Sequence, residues 1–523
     1  MVSSFGTSGL FAGLFARGQA DTGDQAWLQA MLDTEAALAR ALERAGLAPA
    51  GAGAAVTAVA RADRFDARDL GQQATLTGNP VPALVRALSA MLPPALAGAV
   101  HCGATSQDIL DTAAMLVARR VLDEVAADLG EAADSAASLA RAHSSTLMIG
   151  RTLLQQAVPV TFGLVAAGWL TGIDEARTGL RRIQADRLAV QFGGAAGTLA
   201  SLGESGPQVM DLLAEELGLA RPVQPWHTER LRLVELAAAL AGVCAVLGKV
   251  ARDVTLLAQS EVAEVSEGPA GPAGAGETRR GGSSAMPHKR NPVAAVVILG
   301  CTRRAPGLLA TLASAAEQEL QRAAGAWHSE WEPLADLLGL TGSAARWAAG
   351  LLAGLQVDPG RMRANLDAAG GLPLAERVAA LLAPALGPVA AHEAVAEAAA
   401  AVSRDRPLRA VLLTTPEVTR VLADAGVGEQ ELDAALDPAG YVGASGRFVA
   451  DALEAHQRTA ARLEGAARSD AADADGAARS GAARSGRTHF PGSTDLPGST
   501  DLPGNTDLPG NTDLPGNTEE ASQ

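Results

Sequence analysis

From Thr105 to Ser144 the chain runs 40 residues with no proline and one glycine, and alanine and leucine dominate the stretch. Alanine and leucine head the helix scale and proline breaks helices, so this run predicts one long helix. Thr105 followed by Asp108 fits the pattern that opens a helix, a hydroxyl at the cap and an acid three residues on. Proline-free runs recur from Glu229 to Glu267 and from Val293 to Arg304, the last continuing past Pro306 toward Gln321. Helices of ~35–40 residues are ~50–60 Å long at 1.5 Å per residue. Charges inside the runs argue against membrane spans. An elongated helix bundle is the expected architecture. Its apolar faces exceed what one subunit covers, which predicts an oligomer.

Shorter elements flank this centre. Residues 1–104 read as a domain of short helices, among them Gln25 to Ala45, with a loop at GNPVP (Gly78 to Pro82) where two prolines interrupt. Residues 105–357 form the long-helix domain, and 358–465 return to short helices. From 466 to 523 the apolar pattern ends and LPGSTD and LPGNTD repeats take over, a composition with nothing to bury that predicts disorder. Two glycine-rich stretches, GGAAGT (Gly193 to Thr198) and the run from Gly268 through GPAGPAGAGE, are expected to be loops, the second mobile until something orders it.

The net charge of −16 lacks the basic footprint that nucleic acid requires. Three scattered cysteines, Cys102, Cys244 and Cys301, offer no disulfide framework and no metal-ligand spacing, which suits a reducing compartment. No pair among His101, His227, His288 and His328 has the spacing of a zinc site. Neither a signal peptide nor a membrane span is expected, so the protein reads as cytoplasmic, without metal or cofactor.

The chemistry concentrates in GSSAMPHKRNP, Gly282 to Pro292. A loop rich in hydroxyls and amides with one ammonium suits an anionic ligand. Lys289 is one of only two lysines, with Lys249, against 40 arginines, which points to a role for a compact cation. Serine becomes a base when backbone N–H groups and a cation stabilise its oxyanion. Gly281 and Gly282 free the backbone beside Ser283 and Ser284 to form such a nest. Lys289 and Asn291 together suit a substrate carboxylate. A second block, HCGATSQD, sets His101, Thr105 and Ser106 at a helix start, where free N–H groups also favour a carboxylate.

Three separated blocks, HCGATSQDILDT, GRTLLQQAVPVTFG (Gly150 to Gly163) and GSSAMPHKRNP, resemble the three active-site regions of the fumarase/aspartase superfamily. The resemblance spans about residues 5 to 450. It implies an all-α, three-domain fold with an elongated central bundle, assembled as a homotetramer whose sites are shared between subunits. It implies proton transfer at a carbon alpha to a carboxylate through an aci-carboxylate intermediate, with Ser283 as the base and Lys289 supporting it. The family's Thr-Ser pair falls on Thr105 and Ser106 and its loop Lys and Asn on Lys289 and Asn291; Ser284, Met286, Arg151, Thr152 and Gln155 are further residues expected to bind the substrate. Arg230 and Arg322 are further cations expected around a polycarboxylate.

One departure sharpens the reading. Members that expel an amine carry histidine in the pattern GRTH, where this chain has Leu153. A carboxylate leaving group is already a stable anion at pH 7 and needs no such proton. The expected reaction is therefore the closure of a carboxymuconate, a tricarboxylate, to its lactone. GNPVPALV, PWHTERLR, QRAAGAWHSEW and LDPAGYVGAS resemble that cycloisomerase branch as well. The alternatives are an adenylosuccinate-type lyase and a non-catalytic structural homologue.

Overall fold

The computed structural model describes residues 10–18, 21–268, 281–424 and 426–484. The chain opens with α1 (Ala12–Phe15), α2 (Asp24–Arg44), α3 (Ala52–Val59), α4 (Ala67–Thr77), α5 (Val81–Ala90) and α6 (Pro94–Ala97). The centre is α7 (Ser106–Ala142), a hairpin of β1 (Leu147–Thr152) and β2 (Gln155–Thr161), then α8 (Phe162–Asp186), α9 (Gly206–Leu217) and α10 (Leu231–Leu257). It continues through β3 (Val265–Glu267), α11 (Val293–Thr302), α12 (Ala305–Ser314), α13 (Trp331–Ala353) and β4 (Leu355–Val357), which pairs antiparallel with β3. Then follow α14 (Pro359–Ala368), α15 (Ala375–Leu386), α16 (Pro388–Ala400), α17 (Leu408–Thr414), α18 (Pro416–Asp424), α19 (Glu429–Ala435) and α20 (Ser445–Arg484).

The 40-residue run folds as expected, into the 37 residues of α7. Its N-terminus is closed by Asp108, whose Oδ2 accepts the Thr105 N–H at 3.0 Å. Helices α2, α8 and α13 pack around it. Ala132, Ala133, Ala136 and Ala140 are fully buried and let those neighbours approach closely. In α10 the buried positions are Leu233, Leu236, Ala237, Leu240, Val243, Cys244, Leu247, Val250, Ala251, Val254 and Leu257. That is the 3–4 spacing of a single seam, and each buried Leu or Val side chain stabilises the fold by about 1.5–3 kcal/mol.

Several expectations need adjusting. The run after Val293 is two helices, broken at Arg303 and Arg304, because Pro306 opens α12 and cannot continue α11. By length and composition, Leu231–Leu257 and Val293–Ser314 could each cross a membrane, and less than half of each is buried within the subunit. The GRTLLQQ block is a β-hairpin, a departure from the all-α expectation. Its two-residue turn, Leu153 and Leu154, has φ of 50° and 63°. A hairpin turn of this kind ordinarily takes Asn-Gly, so two leucines there store strain.

The described residues up to Arg468 form one compact unit, and those from Ser469 fall outside it. Within that unit, a main core runs through α2, α7, α8, α10 and α13, and a separate cluster around Val378, Leu382, Val395, Val411, Leu412 and Leu432 holds α15 to α19. The backbone of α20 stays helical to Arg484, past the point where the apolar pattern ends. The repeats lie outside the described residues, as does the glycine-rich stretch 269–280 expected to be mobile. His456 pins α20 to the bundle, with Nδ1 2.9 Å from Asp174 Oδ2 and Nε2 3.1 Å from Asp134 Oδ1. The three cysteines are free thiols.

Candidate active site

Polar side chains cluster at the start of α7. Asp108 is buried and saturated. Besides the Thr105 N–H it accepts from the N–H groups of Gly193 (3.0 Å) and Gly194 (2.9 Å) and pairs with His227 Nε2 (2.7 Å). It thus ties the GGAAGT loop and the PWHTER segment to the helix that carries Thr105 and Ser106. Gly193 must be glycine, because a Cβ there would lie 2.7 Å from both His227 and Pro225. One turn on, Asp111 accepts from Gln107, Gln191, Arg230 and Trp327.

Arg230 lies beneath the site instead of in it. It is 2% exposed. Its Nε donates to Glu330, Nη1 to Asp111 and the Trp226 carbonyl, and Nη2 to Asp111 and Glu330. All five N–H groups are occupied, so no donor remains for a substrate and the sequence expectation is corrected. Burial works to lower the guanidinium's pKa, and Asp111 and Glu330 outweigh it and raise it. Burial pushes the Glu330 carboxyl up to about 7 despite Arg230.

Arg322 is half-buried at the rim. It donates to Gln107 Oε1 (2.7 Å) and the Gly194 carbonyl (3.2 Å). His101 lies four residues before Thr105, held by Glu35 of α2. The structure therefore gathers His101, Thr105, Ser106 and Arg322 at one end of the bundle.

The other blocks lie at the opposite end. The hairpin follows α7 directly, and 37 residues of helix separate it from Ser106, ~55 Å at 1.5 Å per residue. Thr152, Leu153, Leu154 and Gln155 project from its exposed tip, with Leu153 96% exposed. Arg151 is engaged, its two terminal nitrogens each 2.8 Å from a carboxylate oxygen of buried Glu264, which Asn365 also contacts at 2.8 Å. It joins the hairpin to the segment before β3, and this ion pair engages both terminal nitrogens of the guanidinium expected on a substrate carboxylate.

The serine loop begins and ends near this hairpin. Glu267, three residues after Glu264, accepts the Ala294 and Ala295 N–H groups at the start of α11. Asn291 closes the loop's base: its N–H and its Nδ2 both donate to the Gly281 carbonyl, at 2.9 and 3.1 Å. Gly281 has φ of 79°, and a Cβ there would lie 2.2 Å from the Asn291 carbonyl oxygen, so only glycine fits. Ser283 Oγ accepts the N–H groups of Met286 (3.1 Å) and Ala285 (3.4 Å). Such amides stabilise a serine oxyanion. Ser284, Met286 and Lys289 are exposed. Among the described residues no group of three or more His, Cys, Asp or Glu side chains could hold a metal ion.

Sequence reading missed Glu35, Gln107, Asp111, Glu264 and Glu330. Glu35 had a signal: Leu28, Leu32, Glu35, Leu38 and Leu42 share the buried stripe of α2, and an acid on such a stripe needs a partner.

A long-helix bundle carrying a hydroxyl-rich loop and two further polar blocks at its ends defines the helical lyase class. A family model described as Lyase matches residues 20–307, and one described as Adenylosuccinate lyase C-terminus matches 371–452. A 3-carboxy-cis,cis-muconate cycloisomerase of Pseudomonas aeruginosa is 48% identical over 437 residues, 83% of this chain and 93% of that one. A nitrosuccinate lyase of Streptomyces davaonensis is 45% identical over 439 residues, 82% and 90% of the two chains. The crystal structure of 3-carboxy-cis,cis-muconate lactonizing enzyme from Pseudomonas putida superposes with a TM-score of 0.79 at 43% identity, covering 86% of this chain and 99% of that one. The chain belongs to the lyase family of the fumarase/aspartase superfamily.

Proposed function

We propose that the protein is a 3-carboxy-cis,cis-muconate cycloisomerase, acting as a cytoplasmic homotetramer in the protocatechuate branch of aromatic degradation. The observation that carries the reading is Leu153, at the exposed tip of the middle block's hairpin, where amine-expelling relatives keep a proton donor. In the proposed reaction one substrate carboxylate oxygen bonds to the carbon beta to another carboxylate. The double-bond electrons move into that second group as an aci-carboxylate. Ser283 delivers its proton to the alpha carbon, and the Met286 and Ala285 amides, with Lys289, stabilise the oxyanion it leaves. Thr105, Ser106, the start of α7 and Arg322 receive substrate carboxylates, and no cofactor takes part.

The helix length supports a shared site. Blocks ~55 Å apart in one chain meet only if different subunits supply them. The half-covered apolar faces of α10 and α11–α12 then form the tetramer's centre and do not face lipid. We read 1–104, 105–357 and 358–465 as the three domains of each subunit.

Nitrosuccinate elimination is the second reading, favoured by the 45% identical nitrosuccinate lyase. Nitrite, like a carboxylate, leaves as a stable anion. Incubating the enzyme with 3-carboxy-cis,cis-muconate, nitrosuccinate, adenylosuccinate and argininosuccinate decides among these. Loss of the muconate diene absorbance without cleavage of the two amine-bearing substrates is expected. Nitrite release with the muconate untouched would install the second reading.

A further inference from the structure

Glu35 lies on the buried stripe of α2 and is 0% exposed. Both its oxygens serve one residue. Oε2 accepts the His101 backbone N–H at 2.9 Å, and Oε1 is 2.7 Å from His101 Nδ1. His101 itself has φ of 60°, an uncommon conformation for a residue with a Cβ that surrounding contacts must hold. A ring nitrogen this close to a carboxylate oxygen carries a hydrogen. The two bonds therefore fix the orientation of the ring, and Nε2 is its outward end. The side chain is 21% exposed, at the rim that holds Thr105, Ser106 and Arg322.

We propose that Glu35 is a positioning residue that holds His101 as an imidazolium, with Nε2–H aimed outward to receive one carboxylate of the substrate. The proposal rests on the polycarboxylate reading above. A buried acid that only needed a partner would be satisfied by any donor. Here it is spent on a titratable group at the site's rim, and that difference has a pH signature. Burial works to lower the His101 pKa, while the Glu35 hydrogen bond, its charge and Asp108 outweigh it and raise the value above the ordinary one. These are the charged groups acting on the ring from α2 and α7. Asp108 contributes field alone, because its oxygens are taken by Thr105, Gly193, Gly194 and His227.

The binding form is thus present below the raised folded pKa and lost as pH rises through it. In Glu35→Gln the shape is kept and the charge removed, so burial is opposed by Asp108 alone and the ring titrates lower than in the wild type. The alkaline limb of kcat/KM for 3-carboxy-cis,cis-muconate should move down by about one unit or more. The variant should be near wild type at pH 5.5 and ~10-fold weaker at pH 8, chiefly through KM. The same change should appear without substrate, in full-length enzyme carrying 13Cε1-labelled histidine, with the His101 resonance identified by its loss in His101→Gln.

A limb that stays in place while E35Q loses the same factor at every pH would overturn the proposal, as would an unmoved His101 resonance. If E35Q does not assemble, the wild-type resonance decides: an inflection above the ordinary imidazole value supports the pairing, and one at or below it refutes the pairing. A resonance that shifts as expected in an enzyme that leaves the muconate untouched would keep the Glu35–His101 assignment and remove the proposed function.

Discussion

Arg230→Met should impair stability rather than substrate binding. The guanidinium holds two buried carboxylates, Asp111 and Glu330, through bonds that use all five of its donors. Removing one partner from such a cluster costs about 3–5 kcal/mol, since the charges left behind are uncompensated. Asp111 keeps Gln107, Gln191 and Trp327, and Glu330 keeps Gln318, which favours the lower half of that range. At roughly 2.1 cal/mol/K per residue, the unit from Met1 to Arg468 unfolds with an entropy of ~1 kcal/mol/K. The melting temperature should then fall by about 3–4 °C. Calorimetry measures this, with steady-state kinetics on the folded protein alongside. Neutralising all three groups, as R230M/D111N/E330Q, should recover much of the loss, because the unpaired charges are gone. Unchanged melting together with a KM raised ~10-fold or more would refute the reasoning and return Arg230 to the substrate.

Ser283→Ala should reduce turnover by ~100–10,000-fold while circular dichroism and sedimentation stay unchanged; mild loss would mean that another group moves the proton. Lys289→Arg should be damaging although charge is kept, because a planar fork does not replace a compact ammonium, and wild-type kinetics would contradict that role. Sedimentation equilibrium should give a tetramer at micromolar concentration, and a stable monomer would leave the apolar faces of α10 to α12 without the proposed partner.

Much of the bundle is legible because helix-forming runs carry their own boundaries. Thr105 and Asp108 mark the start of α7, and Pro306 marks where α11 cannot continue. The hairpin is not legible: GRTLLQQ lacks the Asn-Gly turn that would announce it, and two leucines occupy left-handed positions by strain. The serine loop stands out by residue type, glycine beside serine, while the amides that Ser283 Oγ accepts come from Ala285 and Met286 downstream instead of from the glycines. The fates of Arg151 and Arg230 do not show. A sequence displays a cation without its depth, and both arginines are matched by acids more than 90 positions away, Glu264 and Glu330. Glu35 was readable in principle, as an acid on an apolar stripe, but its partner His101 comes from a different segment.

The proposed assembly of the site from two ends of different subunits is tested most directly by mixing two inactive parents. One carries Ser283→Ala and the other Thr105→Ala with Ser106→Ala. The two are dissociated, combined in equal amounts and reassembled, and lactonisation of 3-carboxy-cis,cis-muconate is followed. Random mixing of subunits leaves about one site in four with an intact loop from one chain and an intact helix start from another, so about a quarter of wild-type activity should return. If both blocks of a site came from a single chain, every site would keep one defect, and activity no higher than that of the parents would contradict the account.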